Sequence, residues 1–173
     1  MYNFQANEKA KILEWLERKF HRVIMDLGDL AKDKDSGVFR LWTSDDDGNK
    51  FYQTLSTVMG TPAPEWYDGT RDISKEKAKR LSSKENYEHI SSWQSRNPDL
   101  KRYGGAIKIH TKVMNTFSRD IENVILILSF SGLPEVGDEA LVLLLAREMG
   151  WLSEARITTY TEISGNELYA KAA

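Results

Sequence analysis

Glu122-Asn123-Val124-Ile125-Leu126-Ile127-Leu128-Ser129-Phe130 runs directly into Ser131-Gly132-Leu133-Pro134. Apolar side chains fall on both faces of the first segment if it is extended, which predicts a buried, central strand. Ser131-Gly132-Leu133-Pro134 then turns the chain into a helix over about Val136 to Met149. Pro134 and Glu135 suit its first turn, Asp138 and Glu139 complement the positive end of its dipole, and Gly150 can close it. Ala140, Leu141, Leu144, Leu145 and Ala146 make its interior almost wholly apolar, so it is expected to be packed on more than one side.

Upstream, Gly104-Gly105-Ala106-Ile107-Lys108-Ile109 begins a second strand. Val38 to Thr43 and Phe51 to Ser56 are β-branched and aromatic runs that flank Ser44-Asp45-Asp46-Asp47-Gly48-Asn49 and predict a hairpin. Its aspartates resemble calcium ligands, but glycine is misplaced for an EF-hand loop and no glutamate closes it, so a solvated turn is expected. From Asn7 to Leu30, Ile12, Leu16, Phe20, Val23, Leu27 and Leu30 recur at helical spacing, with Asn7 as N-cap and the charged run Lys32 to Gly37 as terminator.

Met59-Gly60-Thr61-Pro62-Ala63-Pro64 predicts a loop, because its prolines remove donors and push their predecessors toward extended backbone. Asp72 or Ser74 then caps a helix to about Leu81, with Ile73, Ala78 and Leu81 inward. Lys75, Lys77, Lys79 and Arg80 form its other face, with Arg71 before and Lys84 after. No aromatic platform accompanies these charges, so a solvated face is expected and a nucleic-acid partner is not. Ser82 to Leu100 reads as a partly irregular excursion anchored by Tyr87, Ile90 and Trp93. Ile157 to Ile163 is expected to form a short final strand, and Gly165 to Ala173 a short helix docked on a neighbouring subunit or a frayed end.

At 173 residues, of which 40% are hydrophobic, the chain suits one α/β domain spanning residues 1–173. A formal charge of −2 provides no global field for nucleic acid or an anionic membrane. The absence of cysteine excludes disulfides, thiolate metal sites and cysteine nucleophiles, and agrees with a reducing compartment. Met1 to Lys11 lacks the apolar core of a signal peptide, and Val124 to Leu128 and Ala140 to Ala146 fall short of the ~20 residues a spanning helix requires. A cytoplasmic protein without a membrane partner is expected.

Standard catalytic signatures are missing: there is no glycine-rich phosphate loop, no His-Glu-x-x-His and no nucleophile elbow. Whether the chain is an enzyme stays open. His21, His89 and His110 lie in separate predicted elements. Two places have unusual backbone demands. Gly104-Gly105 allows close approach of another chain or a ligand, and Ser131-Gly132 lies where a strand meets a helix N-terminus that favours an anion.

Trp66 and Arg71, the Gly104 to Ile109 segment, and Ser129-Phe130-Ser131-Gly132-Leu133-Pro134-Glu135-Val136-Gly137-Asp138-Glu139-Ala140-Leu141 together resemble the HbpS/GlcG-like superfamily of haem-binding and haem-degrading domains, in its uncharacterised branch with a Ser-Gly-Leu-Pro turn. In that pattern Lys108 stands where proline is usual, and Glu139 where a histidine often follows the aspartate. The resemblance covers about Phe51 to Gly150. It implies a profilin-like three-layer sandwich, a mainly antiparallel sheet with helices on both faces, assembled as a homo-oligomer.

The expected function is small-molecule binding in a pocket bounded by Gly104, Gly105, Ser131, Gly132 and Asp138, with Arg71 as an anion clamp and Trp66 as an apolar wall. One alternative is haem or tetrapyrrole binding or breakdown, for which His110 is the candidate axial ligand. Another is a structural or scaffolding subunit.

Overall fold

The computed structural model describes residues 2, 4–32, 34–45, 47–114 and 121–173. Four strands form one sheet in the order β2-β1-β4-β3, every neighbouring pair antiparallel. They are β1 (Gly37–Ser44), β2 (Phe51–Met59), β3 (Ala106–Met114) and β4 (Ile121–Ser131). Helices α1 (Ala6–Leu27) and α3 (Glu135–Glu148) cover one face, and α2 (Pro64–Leu81) covers the other. Helices α4 (Glu154–Ser164) and α5 (Leu168–Ala172) follow. The result is an α/β sandwich of three layers.

β4 is the interior strand that its sequence predicts, paired with β1 on one side and β3 on the other. Alternation divides its side chains between two unlike faces. Leu126, Leu128 and Phe130 join Phe39, Leu41, Ile107 and Ile109 in the main core beneath α1 and α3. The opposite face is mixed, carrying Trp42 and Ile127 but also Arg40, Ser129 and Lys108. α3 is buried without a break from Gly137 to Ala146, since sheet, α1 and α5 surround it.

Several local expectations are corrected. Ile157 to Ile163 lies in α4, with Ile157 and Tyr160 buried one helical turn apart; its β-branched residues read as a strand, but tertiary packing decides. The tail docks on α1 and α3 of its own chain. Asn166 holds it by donating from Nδ2 to the Val136 carbonyl at 2.8 Å and to Glu139 Oε2 at 3.0 Å. α1 is capped by Gln5, whose N–H is taken by Glu8, rather than by Asn7. It also ends at Leu27, so Leu30 lies beyond its stripe and is exposed.

α2 begins eight residues before Asp72, at Pro64, because proline at the first helical position sacrifices no bonded N–H. The loop therefore shrinks to residues 60–63. In the β1–β2 turn, Asp45 accepts the backbone N–H groups of Asn49 and Lys50 at 2.8 and 3.1 Å, which hold its carboxyl below the usual range. Asp46, one of the three aspartates, lies outside the described residues.

Leu128 is completely buried between register partners Leu41 and Ile107. Leu128→Ala is expected to lower the unfolding free energy by about 2–5 kcal/mol, measured by urea denaturation. A loss below about 1 kcal/mol would mean that this strand is not the centre of the sheet.

Candidate functional site

Gly104, Gly105, Ser131, Gly132 and Asp138 do come together, where β4 hands over to α3. The space between them is filled by the chain itself. Lys77, only 1% exposed, reaches in from α2 and donates to the Phe130 carbonyl at 2.8 Å and to Asp138 Oδ2 at 2.7 Å. Asp138 Oδ1 accepts the Leu133 N–H at 2.9 Å. Burial pushes the Asp138 carboxyl up to about 6, while Lys77 and the Leu133 N–H pull it back.

The glycines are required by this packing. A Cβ on Gly105, at φ +95°, would lie 2.5 Å from Asp138 Cβ, and one on Gly132, at φ +148°, would lie 2.1 Å from the Ser36 carbonyl oxygen. Gly104 is pressed against the Trp93 ring and donates its N–H to Glu135 at 2.6 Å. Ser131 is buried as the strand partner of Val38. At the place where a pocket is expected, the described side chains and backbone pack closely against these glycines.

Trp66 and Arg71 stand apart from it. Trp66 precedes Lys77 by three turns of α2, about 16 Å along the axis, and is 71% exposed. Arg71 is turned to its own helix, pairing with Asp68 at 3.1 Å and Asp72 at 3.6 Å. Neither serves as clamp or wall for the glycine junction.

The basic face of α2 is corrected as well: Lys77 and Arg80 are buried. Arg80 donates to the carbonyls of Ser92, Ser95 and Tyr103 at 2.8, 2.9 and 2.6 Å and pairs with Glu76 at 2.8 Å. These bonds pin the irregular excursion, which contains short 3-10 turns at Lys84–Asn86, Ser92–Ser95 and Pro98–Leu100. The signal was present in the spacing. Ser74, Lys77, Ala78 and Leu81 form one i, i+3, i+4, i+7 stripe, and the lysine belongs to it.

A different opening lies past the C-terminus of α2. The helix stops at Leu81, and beyond it the mixed sheet face is met by the 82–87 segment instead of by a continued α-helix. A groove of about 410 Å³ results, lined by residues that include Ser44, Asp47, Tyr87, His110, Asn123 and Ile125. It continues into a narrower cleft that adds Phe51, Leu81, Lys84 and Lys108. This volume is within the roughly 300–1,000 Å³ of small-molecule sites.

Lys108 is the most unusual group there. It is 3% exposed, and its Nζ donates to the carbonyls of Asn86 and Tyr87 at 2.9 Å each, with the Tyr87 ring centroid 5.8 Å away. Burial alone pulls its ammonium down to about 8. His110, two residues along the same face of β3, is also lowered, by burial first and then by Lys108 and Arg156, which favours a neutral imidazole at pH 7. Among the described residues, no group of three His, Asp or Glu side chains could hold a bare metal ion. No helix of the described residues is long and apolar enough to cross a membrane.

No protein-family model, curated protein or solved structure matches the chain.

Breaking the junction strands a buried charge. Lys77→Met is expected to destabilise by about 3–5 kcal/mol in denaturant unfolding, and Lys77→Met/Asp138→Asn to cost less, because neither charge then remains. Equal losses in the two variants would deny that the pair is coupled. For the groove, NMR titration of Lys108 Cε and Nζ is expected to give a midpoint near 8. Because the folded value lies below the unfolded one, the linked contribution to stability rises as pH increases from about 8 toward 10.5. A midpoint above 10 would mean that the ammonium is solvated.

Proposed function

We propose that the chain is a small-molecule-binding α/β domain of the HbpS/GlcG-like kind, working as a homo-oligomer, with its ligand seat in the groove beyond α2. The observation that carries this reading is the convergence of Lys108, His110 and Tyr87 on an opening that the end of the helix leaves in the sheet face. The apolar floor at Ile125 and the few polar groups around it match the usual make-up of a ligand site.

Oligomer formation is supported by the sheet edges. At the β3 edge, Ile90 accepts the Lys108 N–H at 2.7 Å and Arg156 donates to the His110 carbonyl at 2.8 Å. β2 has no partner on its outer side among the described residues. It also lacks the charges and prolines that usually blunt an edge, and it exposes Tyr52 and Val58. A second copy adding its β2 there fits the reading. In sedimentation velocity, Tyr52→Lys/Val58→Lys is expected to convert an oligomer to monomer; an unchanged oligomer would remove this edge as the interface.

A second reading, haem binding, rests on His110. Its neutral imidazole in the groove suits an iron ligand, and Lys84, Lys108 and Lys112 suit the propionates. Bound haem would supply iron redox chemistry at that imidazole. Haemin titration is expected to shift the Soret band in the wild type and not in His110→Ala. No shift, or the same shift in both proteins, sinks this reading.

The seat itself is tested by amide NMR titration with a mixture of small aromatic fragments. Shifts are expected at Tyr87, His110, Thr111 and Ile125, with Gly105 and Gly132 unmoved. Shifts confined to the glycines would contradict the assignment.

A further inference from the structure

We propose that the groove selects a carboxylate with an aromatic or apolar body, and that Lys108 receives the anion; this rests on the groove being the ligand seat. A buried cation ordinarily has a carboxylate beside it, because desolvation otherwise disfavours its charged form. Lys77 has Asp138 at 2.7 Å and Arg80 has Glu76 at 2.8 Å. Lys108, nearly as deeply buried, has only the two neutral carbonyls of Asn86 and Tyr87 as described hydrogen-bond partners. Its ammonium carries three protons, and those carbonyls take two. Among the described residues Arg40 also has no carboxylate within bonding distance, but it lines neither part of the groove.

The surroundings agree in sign and in shape. Lys84 and Lys112 line the groove with Lys108, against Asp47 alone among the described acidic residues there. Phe51 and Ile125 supply apolar surface in the cleft that Lys108 also lines. A single deep ammonium, with no guanidinium fork among the described lining residues, suits a monoanionic carboxylate better than a phosphate dianion. His110, held neutral, can donate to the second carboxylate oxygen without adding charge. A ligand with its acid at Lys108 and its ring against Ile125 and Tyr87 would supply the missing counter-charge.

The test compares 2-naphthoate with its neutral analogue 2-naphthamide, following amide shifts at Tyr87, His110 and Ile125. Naphthoate is expected to bind about tenfold more tightly or better in the wild type at pH 7. Lys108→Met, which keeps the packing of the stem, should abolish that preference while naphthamide still binds. Equal binding of the two compounds at these residues overturns the carboxylate assignment and leaves the groove as a seat. No shift at them with either compound overturns both. Should Lys108→Met fail to fold, the wild type alone decides the matter. Its preference should decline as pH rises past the titration of Lys108, and a preference constant from pH 7 to 10 contradicts the proposal.

Discussion

One buried ammonium ties the three layers of this protein together. Lys77 leaves α2, crosses the plane of the strand ends, and bonds both the last carbonyl region of β4 and the first turn of α3. Its position compels the glycine at 105, because any side chain there would collide with Asp138 or approach Lys77. It also explains why a junction with the outward signs of an anion site is closed. The negative charge that such a helix start attracts is supplied by Asp138, whose Oδ1 takes the Leu133 N–H while Oδ2 holds the lysine.

The two sheet faces divide the work of the fold. Under α1 and α3 the side chains are apolar and the packing continuous, which provides the bulk of the hydrophobic stabilisation. Under α2 the face is mixed, and its polar groups are met one by one where they are met: Ser129 Oγ donates to the Ser74 carbonyl at 3.0 Å, and Arg40 reaches Gln53 and the Arg71 carbonyl, while Arg40 Nε and Trp42 Nε1 have no partner among the described residues. Such a face demands a specific partner helix, and it becomes an opening where the helix ends. The groove at Lys108 and His110 follows from the length of α2.

Much of the architecture was legible in the residues. The continuous apolar run of β4, the hairpin runs on either side of the aspartate turn, and the stripe of α1 have the periods that burial imposes. The start of α2 was hidden because two prolines announce a loop, although the second is a good first residue of a helix. α4 was mistaken for a strand because Ile157, Thr158 and Thr159 favour extended backbone locally, whereas Ile157 and Tyr160 are placed to bury one helical stripe.

The site was half legible. Gly104-Gly105 reads as a place of close approach and Ser131-Gly132 as an anion-favouring junction, but nothing in a single sequence says whether the approaching group is a ligand or the chain's own Trp93, Asp138 and Ser36. In the sequence Lys108 stands out only as a departure from a pattern, and Glu139 as such a departure and as a complement to the dipole of α3. Both proved to be buried ionisable groups, Glu139 holding Ser91, Ser164 and Asn166 around its carboxyl. The junction at Asp138 is closely packed, and the groove at Lys108 and His110 is open. Native-state amide hydrogen exchange tests this contrast most directly: the Leu133 and Phe130 amides should exchange only through global unfolding, at the full unfolding free energy, while amides around Tyr87 exchange through small local openings. Exchange of Leu133 and Phe130 through a low-energy local opening would contradict the account, because it would make the glycine junction a cleft that admits a ligand.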